Sequence, residues 1–270
     1  MGTALLKGWL RDEDSRKNFS FSACVRTQAS LERLRSTFNQ QQNQHITLNR
    51  GDSAATAMAT TADIIILGCA PTEYDNLLQI PNMPEILQSR LVISLLAGVT
   101  YERLTAGLHA HGAKQANPRF ARIMPTLGAQ NGDSVSLLAT TTNDDTPEYF
   151  APITQLFRRL GTVTAVPEHL FAEATALEAT CHALTIVAAE TLADAGAAGG
   201  LPRELAAGIV ARCWRSSGGL LKAGMSTAGM KEAMAIPGGI TVNTVLKLER
   251  EARPAVAEGL AYAVERARGM

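Results

Sequence analysis

Between Met230 and Glu249 the chain reads MKEAMAIPGGITVNTVLKLE, and a few of its residues have types and spacing suited to holding a small anion. Pro237 fixes one backbone dihedral, Gly238 and Gly239 permit positive φ and close backbone approach, and Thr241 brings a hydroxyl to the point where a helical pattern starts. Such a turn at a helix N-terminus presents amide donors that converge on one point. Flanked by apolar helices rather than by a strand, it suits a small carboxylate better than a pyrophosphate. A lone Pro-Gly-Gly reads as a plain helix–helix turn, so the rest of the chain must decide between the two.

The elements that must position this turn fall into two groups. In the first, MGTALLKGWL is an amphipathic helix with Ala4, Leu5, Trp9 and Leu10 on neighbouring turns, followed by a short strand at Phe21–Arg26 and a helix at Ser30–Phe38. Ala62–Cys69 (ADIIILGC) and Leu91–Leu96 (LVISLL) are continuous apolar runs, the pattern of parallel strands buried on both faces. Short strands at Ala121–Met124 and Val135–Ala139 and a helix over about 148–160 complete an alternation typical of a doubly wound, Rossmann-like nucleotide-binding domain. The polar run Asn39–Gln44 reads as a loop.

After Val166-Pro167 the composition changes. Apolar residues recur at helical spacing from Phe171 to Leu192, then along Leu205, Ile209 and Cys213, and again from Val245 to Ala263. The expected organisation is an α/β dinucleotide-binding domain over 1–165 and an all-α domain over 166–270. Helices with broad apolar faces and so few residues rarely satisfy themselves, so the second domain is expected to pair with a copy of itself as a homodimer or higher homo-oligomer.

Lys plus Arg and Asp plus Glu both number 25, which provides no field for nucleic acid or an anionic membrane. Cys24, Cys69, Cys181 and Cys213 are scattered without a C-x-x-C pair, against a metal site or a disulfide framework, and read as buried thiols of a reducing compartment. The most apolar helical run, Ala179–Ala198, contains His182, Glu190 and Asp194, and no basic-then-apolar leader opens the chain. The expectation is a cytoplasmic protein acting on a small molecule.

The IPGGIT turn and Leu248-Glu249 resemble the Ser-Pro-Gly-Gly-x-Thr signature of pyrroline-5-carboxylate reductases. LVISLLAGV resembles that family's Ile-Ser-x-x-Ala-Gly-Val, RIMPTLGA its Arg-x-Met-Pro-Asn-Thr-Pro, and ETLADAGAAGGLP its Glu-Ala-Leu-Ala-Asp-Ala-Gly segment, all in the family's order. The resemblance implies hydride transfer from NADPH, with NADH possible, to the imine carbon of a cyclic imine carboxylate. It places Thr241 as the hydroxyl beside the imine and carboxylate and therefore as the catalytic candidate, with Gly238, Gly239 and Thr180 on the substrate; His182, where the family has proline, is a further candidate for a substrate contact. On the cofactor side it implies Gly2, Ser53, Ala70 and Pro71, with Met124 and Pro125 beside the nicotinamide. Arg26 and Thr27, at the end of the FSACVR strand, sit where this fold reads the adenosine ribose. An arginine there either holds a 2′-phosphate or simply closes a strand at the surface.

Several positions depart from the family's pattern. Ile236 replaces a serine, Thr126 an asparagine and Ala70 a lysine, while Ala179, Thr180, Cys181, His182 and Ala183 replace Gly-Ser-Gly-Pro-Ala. His182 reads more simply as a hydrogen-bonded core residue than as a substrate contact or proton donor. In the family a strand and a glycine-rich turn precede the helix matching MGTALLKG, which predicts a coding region continuing upstream by about 10–15 residues. Two other readings share parts of the pattern. A hydroxyacid dehydrogenase would want an early interdomain lysine, whereas the chain has none between Lys114 and Lys222. A non-enzymatic paralogue would keep only the dimerising fold.

Overall fold

The computed structural model of the protein describes residues 1–38, 45–113, 118–140 and 148–268, so the Asn39–Gln44 run lies outside the described residues. The chain forms two compact units, Met1–Thr175 with the chain end from Ala267, and Ala176–Arg266.

The first unit begins with α1 (Gly2–Arg11) and α2 (Glu13–Asn18). It continues through β1 (Phe21–Val25), α3 (Gln28–Thr37), β2 (Ile46–Arg50), α4 (Asp52–Thr61) and β3 (Ile64–Leu67). Then come α5 (Tyr74–Leu78), α6 (Met83–Ser89), β4 (Leu91–Ser94), α7 (Tyr101–Ala110) and β5 (Arg119–Pro125). β6 (Ser134–Thr140), α8 (Phe150–Arg158) and β7 (Gly161–Pro167) close it. β1 and β2 form a parallel pair, while β3-β4-β5-β6-β7 form a second sheet, parallel except that β6 runs antiparallel to β5.

Alternation along the strands explains why the interior ones are so apolar. Leu91 and Ile93 pack with Ile123, Ile153 and Phe157 on one face, while Val92 packs with Leu87, Leu104 and Phe120 on the other. β4 is therefore buried at every position. The expected double burial of Ala62–Cys69 is not met, because Ile64, Ile65 and Ile66 are only half-buried. The reason is topological: β3 pairs with β4 alone, and among the described residues its other edge, like one edge of β1, carries no strand.

α1 is held by close approach. Trp9 stacks on Phe21, meets Phe157 edge-on and donates its indole N–H to the Leu156 carbonyl at 3.1 Å. Gly8 is required beside it, since a Cβ there would come within 2.2 Å of the Ala129 carbonyl oxygen and 2.5 Å of Leu160.

The second unit takes most of α9 (Phe171–Ala198), then α10 (Arg203–Lys222), α11 (Thr227–Ala233) and most of α12 (Ile240–Arg268), which runs on through Pro254. Among the described residues its buried core reduces to Ala176, Ala193 and Ala206, whereas Leu184, Ile186, Val187, Ile209 and Leu248 are exposed. By length and composition the stretch Glu168–Ala198 is apolar enough to cross a membrane, but it carries Glu173, Glu178, Glu190 and Asp194. The same lack of cover corrects the expectation of buried thiols: Cys181 and Cys213 are exposed on these helices, Cys69 is exposed beyond β3, and Cys24 is half-buried.

Replacing Gly8 by alanine should destabilise the first unit by about 1–3 kcal/mol, because the opposing atom is backbone and cannot swing aside. At roughly 2–4 °C per kcal/mol, the thermal midpoint should fall measurably. Gly2→Ala, with open space around the added carbon, is the control. Equal midpoints for the two variants would contradict this packing of α1.

Candidate functional site

In the first unit the candidate cofactor residues gather where strands give way to turns, the side on which open α/β sheets bind ligands. Arg26 leaves the end of β1 exposed, Thr27 caps α3, Ser53 lies exposed in the first turn of α4, and Ala70 and Pro71 follow β3. The Thr27 hydroxyl accepts from the Ser30 amide at 3.2 Å and donates to the Ser30 hydroxyl, so it serves the helix before any ligand. Arg26 is ion-paired with Glu73 through Nη1 and Oε2. Gly2 opens α1 with no atom within 4 Å of where a side chain would begin. An exposed guanidinium beside a capped helix N-terminus fits the adenosine half of a phosphorylated dinucleotide in donor type and access.

Met124 and Pro125 end β5, and Met124 packs with Leu137, Ala139, Phe171 and Ala174. Two residues earlier, buried Arg122 pairs its Nη1 with Glu168 Oε1 and lies 4.7 Å from the Phe171 ring centroid. The Tyr101 amide donates to the same Glu168 oxygen at 3.5 Å. Thr126 is engaged by the fold: its amide donates to Ser134 Oγ at 3.2 Å and its hydroxyl accepts from the Val135 amide at 3.0 Å.

In the second unit the Pro237–Gly239 turn joins α11 to α12. Gly238 takes φ 71°, and Gly239 donates to the Ile236 carbonyl at 2.8 Å, where a Cβ would itself come within 2.8 Å of that oxygen. The helix begins at Ile240, so Thr241 lies inside its first turn rather than capping it. Among the described residues the Thr241 hydroxyl has no hydrogen-bond partner, and the amides of Ile240, Thr241 and Val242 precede the first helical acceptor. Ile236 and Ile240 frame these donors, 68% and 87% exposed.

Thr180 lies elsewhere. It lines an apolar groove of about 390 Å³ with Leu177, Cys181 and Leu184, walled opposite by α12 from Ala252 to Leu260. Its hydroxyl donates to the Ala176 carbonyl at 2.8 Å. Ala252 is three turns along α12 from Thr241, about 16 Å, so a single chain does not bring Thr180 and Thr241 together. His182 is exposed, correcting the expectation of a core position, although its Nδ1 does contact the Glu178 carbonyl at 3.0 Å.

Glu178, unremarked in the sequence, is the unusual acid of this unit. Its Oε2 is buried without a partner, and burial pushes the carboxyl up to about 7, opposed only in part by His182. Among the described residues no three His, Cys, Asp or Glu side chains converge as metal ligands.

Two family models match the chain. One, described as pyrroline-5-carboxylate reductase dimerisation, covers residues 168–270; the other, described as NADP oxidoreductase, coenzyme F420-dependent, covers residues 1–98. The chain is similar to the pyrroline-5-carboxylate reductase of Thermus thermophilus, 34% identical with 76% of this chain and 74% of that protein covered. It is similar to the pyrroline-5-carboxylate reductase of Neurospora crassa at 30% identity, with 85% and 73% covered. Its fold matches a crystal structure of Plasmodium falciparum pyrroline carboxylate reductase with NADP bound, TM-score 0.78 at 20% identity, covering 100% of this chain and 94% of that one.

The raised Glu178 carboxyl makes stability depend on pH. An unfolded carboxyl titrates near 4.5, so between there and about 7 the folded chain holds the extra proton, and stability falls as pH rises through that window. Between about pH 5 and about pH 8 the thermal midpoint of the wild type should drop further than that of Glu178→Gln, which cannot titrate. Parallel pH dependences for the two proteins would contradict a raised Glu178 carboxyl with its Oε2 buried and unpaired.

Proposed function

This chain belongs to the pyrroline-5-carboxylate reductase family, and on that premise we propose that it reduces a cyclic imine carboxylate, 1-pyrroline-5-carboxylate or a substituted analogue, to proline or a proline derivative with NADPH or NADH. The observation that carries the reading for this chain's own residues is the exposed Pro237–Gly239 turn. Its free first-turn amides and unpartnered Thr241 hydroxyl offer a small carboxylate several donors at one point.

In this reading Gly238 and Gly239 let the backbone approach the carboxylate, while Thr241 donates to the carboxylate or accepts from the protonated imine nitrogen. Ile236, where the family pattern has serine, contributes apolar contact instead of a donor, which suits a substrate larger or more apolar than the unsubstituted ring. Glu178 keeps a proton to near neutral pH and is suited to protonate an imine; Thr180 and His182 flank it on α9. Arg26, Thr27, Ser53 and Gly2 would hold the adenosine and phosphates, Ala70 and Pro71 the adjoining edge, and Met124 and Pro125 the nicotinamide. The bound cofactor supplies the hydride, so the protein's task is mainly positioning.

We take residues 1–165 as the dinucleotide-binding part and 166–270 as the helical part of a cytoplasmic homodimer or higher homo-oligomer. What supports self-association is the exposed apolar surface of α9, α10 and α12. Because Thr180 and Thr241 lie so far apart in one chain, a substrate touching both must take them from two copies.

Thr241→Val should keep fold and cofactor affinity but lower kcat/KM for the imine acid by on the order of 1–3 kcal/mol in transition-state stabilisation. Unchanged kcat/KM would remove Thr241 from the site. A charge at Leu184, which is 45% exposed in the single chain, should shift sedimentation toward monomer and reduce activity with it. A Leu184→Asp protein that sediments and turns over as the wild type does would exclude α9 from the interface.

A further inference from the structure

Arg26 is not free to greet a ligand. Its guanidinium bridges from the end of β1 to Glu73, on the single 3-10 turn Pro71–Glu73 that follows β3. The partners are unequally held: the Arg26 side chain is 71% exposed and the Glu73 side chain 32%. Glu73 Oε2 also accepts from Asn76 Nδ2 at 3.2 Å, so the carboxylate is anchored by its own turn while the arginine reaches across to it. The bridge joins the same strand ends that carry the candidate cofactor residues Arg26, Ala70 and Pro71.

We infer that Glu73 sets the preference between NADPH and NADH by competing with the 2′-phosphate for the Arg26 guanidinium. The inference rests on the reading of Arg26 as the residue beside the adenosine ribose. A 2′-phosphate must break or share the ion pair and also meets the negative charge of Glu73, so it loses part of what the arginine offers. An unphosphorylated ribose meets no such penalty, and its hydroxyl can donate to the Glu73 carboxylate, as acidic residues do for NADH in this fold. Arg26 and Glu73 together thus read either form of the ribose, and removing the carboxylate releases the arginine to the phosphate alone. Because the pair is solvent-exposed, its strength is modest, and the expected change is about two- to fivefold rather than orders of magnitude.

The test is direct binding to the full chain, with NADPH and NADH followed by cofactor fluorescence and adenosine 2′-monophosphate and adenosine 5′-monophosphate by calorimetry. The proteins are wild type, Glu73→Gln and Arg26→Gln. Glu73→Gln should tighten NADPH and adenosine 2′-monophosphate about two- to fivefold while leaving NADH unchanged or weaker. Arg26→Gln should weaken both 2′-phosphorylated ligands and spare the others. If Arg26→Gln shifts the NADPH to NADH ratio but Glu73→Gln does not, the competition is overturned and the bridge is an ordinary surface ion pair. If Arg26→Gln leaves the ratio untouched, the placement of Arg26 at the ribose fails first, and the inference with it.

Discussion

A buried cation midway along β5 fixes much of the first unit. Arg122 lies in the row of β5 that pairs with Ser94 of β4, only 8% exposed, where an uncompensated charge would cost several kcal/mol. Glu168, the first residue after β7, supplies the compensating carboxylate, and the Phe171 ring stacks against the guanidinium. One side chain thereby ties the end of β5, where Met124 and Pro125 sit, to the beginning of α9. The Tyr101 amide, at the start of α7, joins through the same carboxylate. Removing either charge leaves the other unpaired, so the two residues constrain each other more than either stabilises the fold by itself.

The parts of the fold legible in the sequence were those whose burial is complete. LVIS reads as a buried strand because helices cover both of its faces, and MGTALLKGWL reads as a helix because its apolar stripe is buried, Leu5 and Trp9 in one core and Leu10 in the next. The short polar strand ITLNR and the alternating GTVTAVP gave little signal: the first belongs to a two-stranded pair, and the second is largely half-exposed. IIIL misled in the opposite sense, its composition suggesting two covered faces where the strand lies at a sheet edge among the described residues. The exposure of the cysteines on α9 and α10 escapes the sequence for a related reason, since helix periodicity reveals an apolar face but not whether the same chain covers it.

For the candidate site, local chemistry was legible and long-range pairing was not. Pro237, Gly238 and Gly239 announce a turn because their backbone restrictions are intrinsic, and Gly238 does adopt positive φ. Nothing in the sequence links Arg26 to Glu73, Arg122 to Glu168, or the groove at Thr180 to a stretch of α12 three turns beyond Thr241. The raised carboxyl of Glu178 leaves no mark in the sequence because it arises from burial rather than from residue type or spacing. The turn is therefore legible in sequence, whereas the environment of Glu178 and the pairing of Arg26 depend on contacts that only the folded chain creates.

Imine reduction can be measured directly on the full chain. NADPH consumption should be followed with 1-pyrroline-5-carboxylate, ring-substituted pyrroline carboxylates and open-chain 2-oxo acids, while the cyclic amine acid product is quantified in parallel. Oxidation of NADPH should match formation of a proline-type secondary amine with one or more of the cyclic imine acids, and 2-oxo acids should give none. NADPH binding without turnover of any cyclic imine acid, or turnover of a 2-oxo acid in its place, would contradict imine reduction.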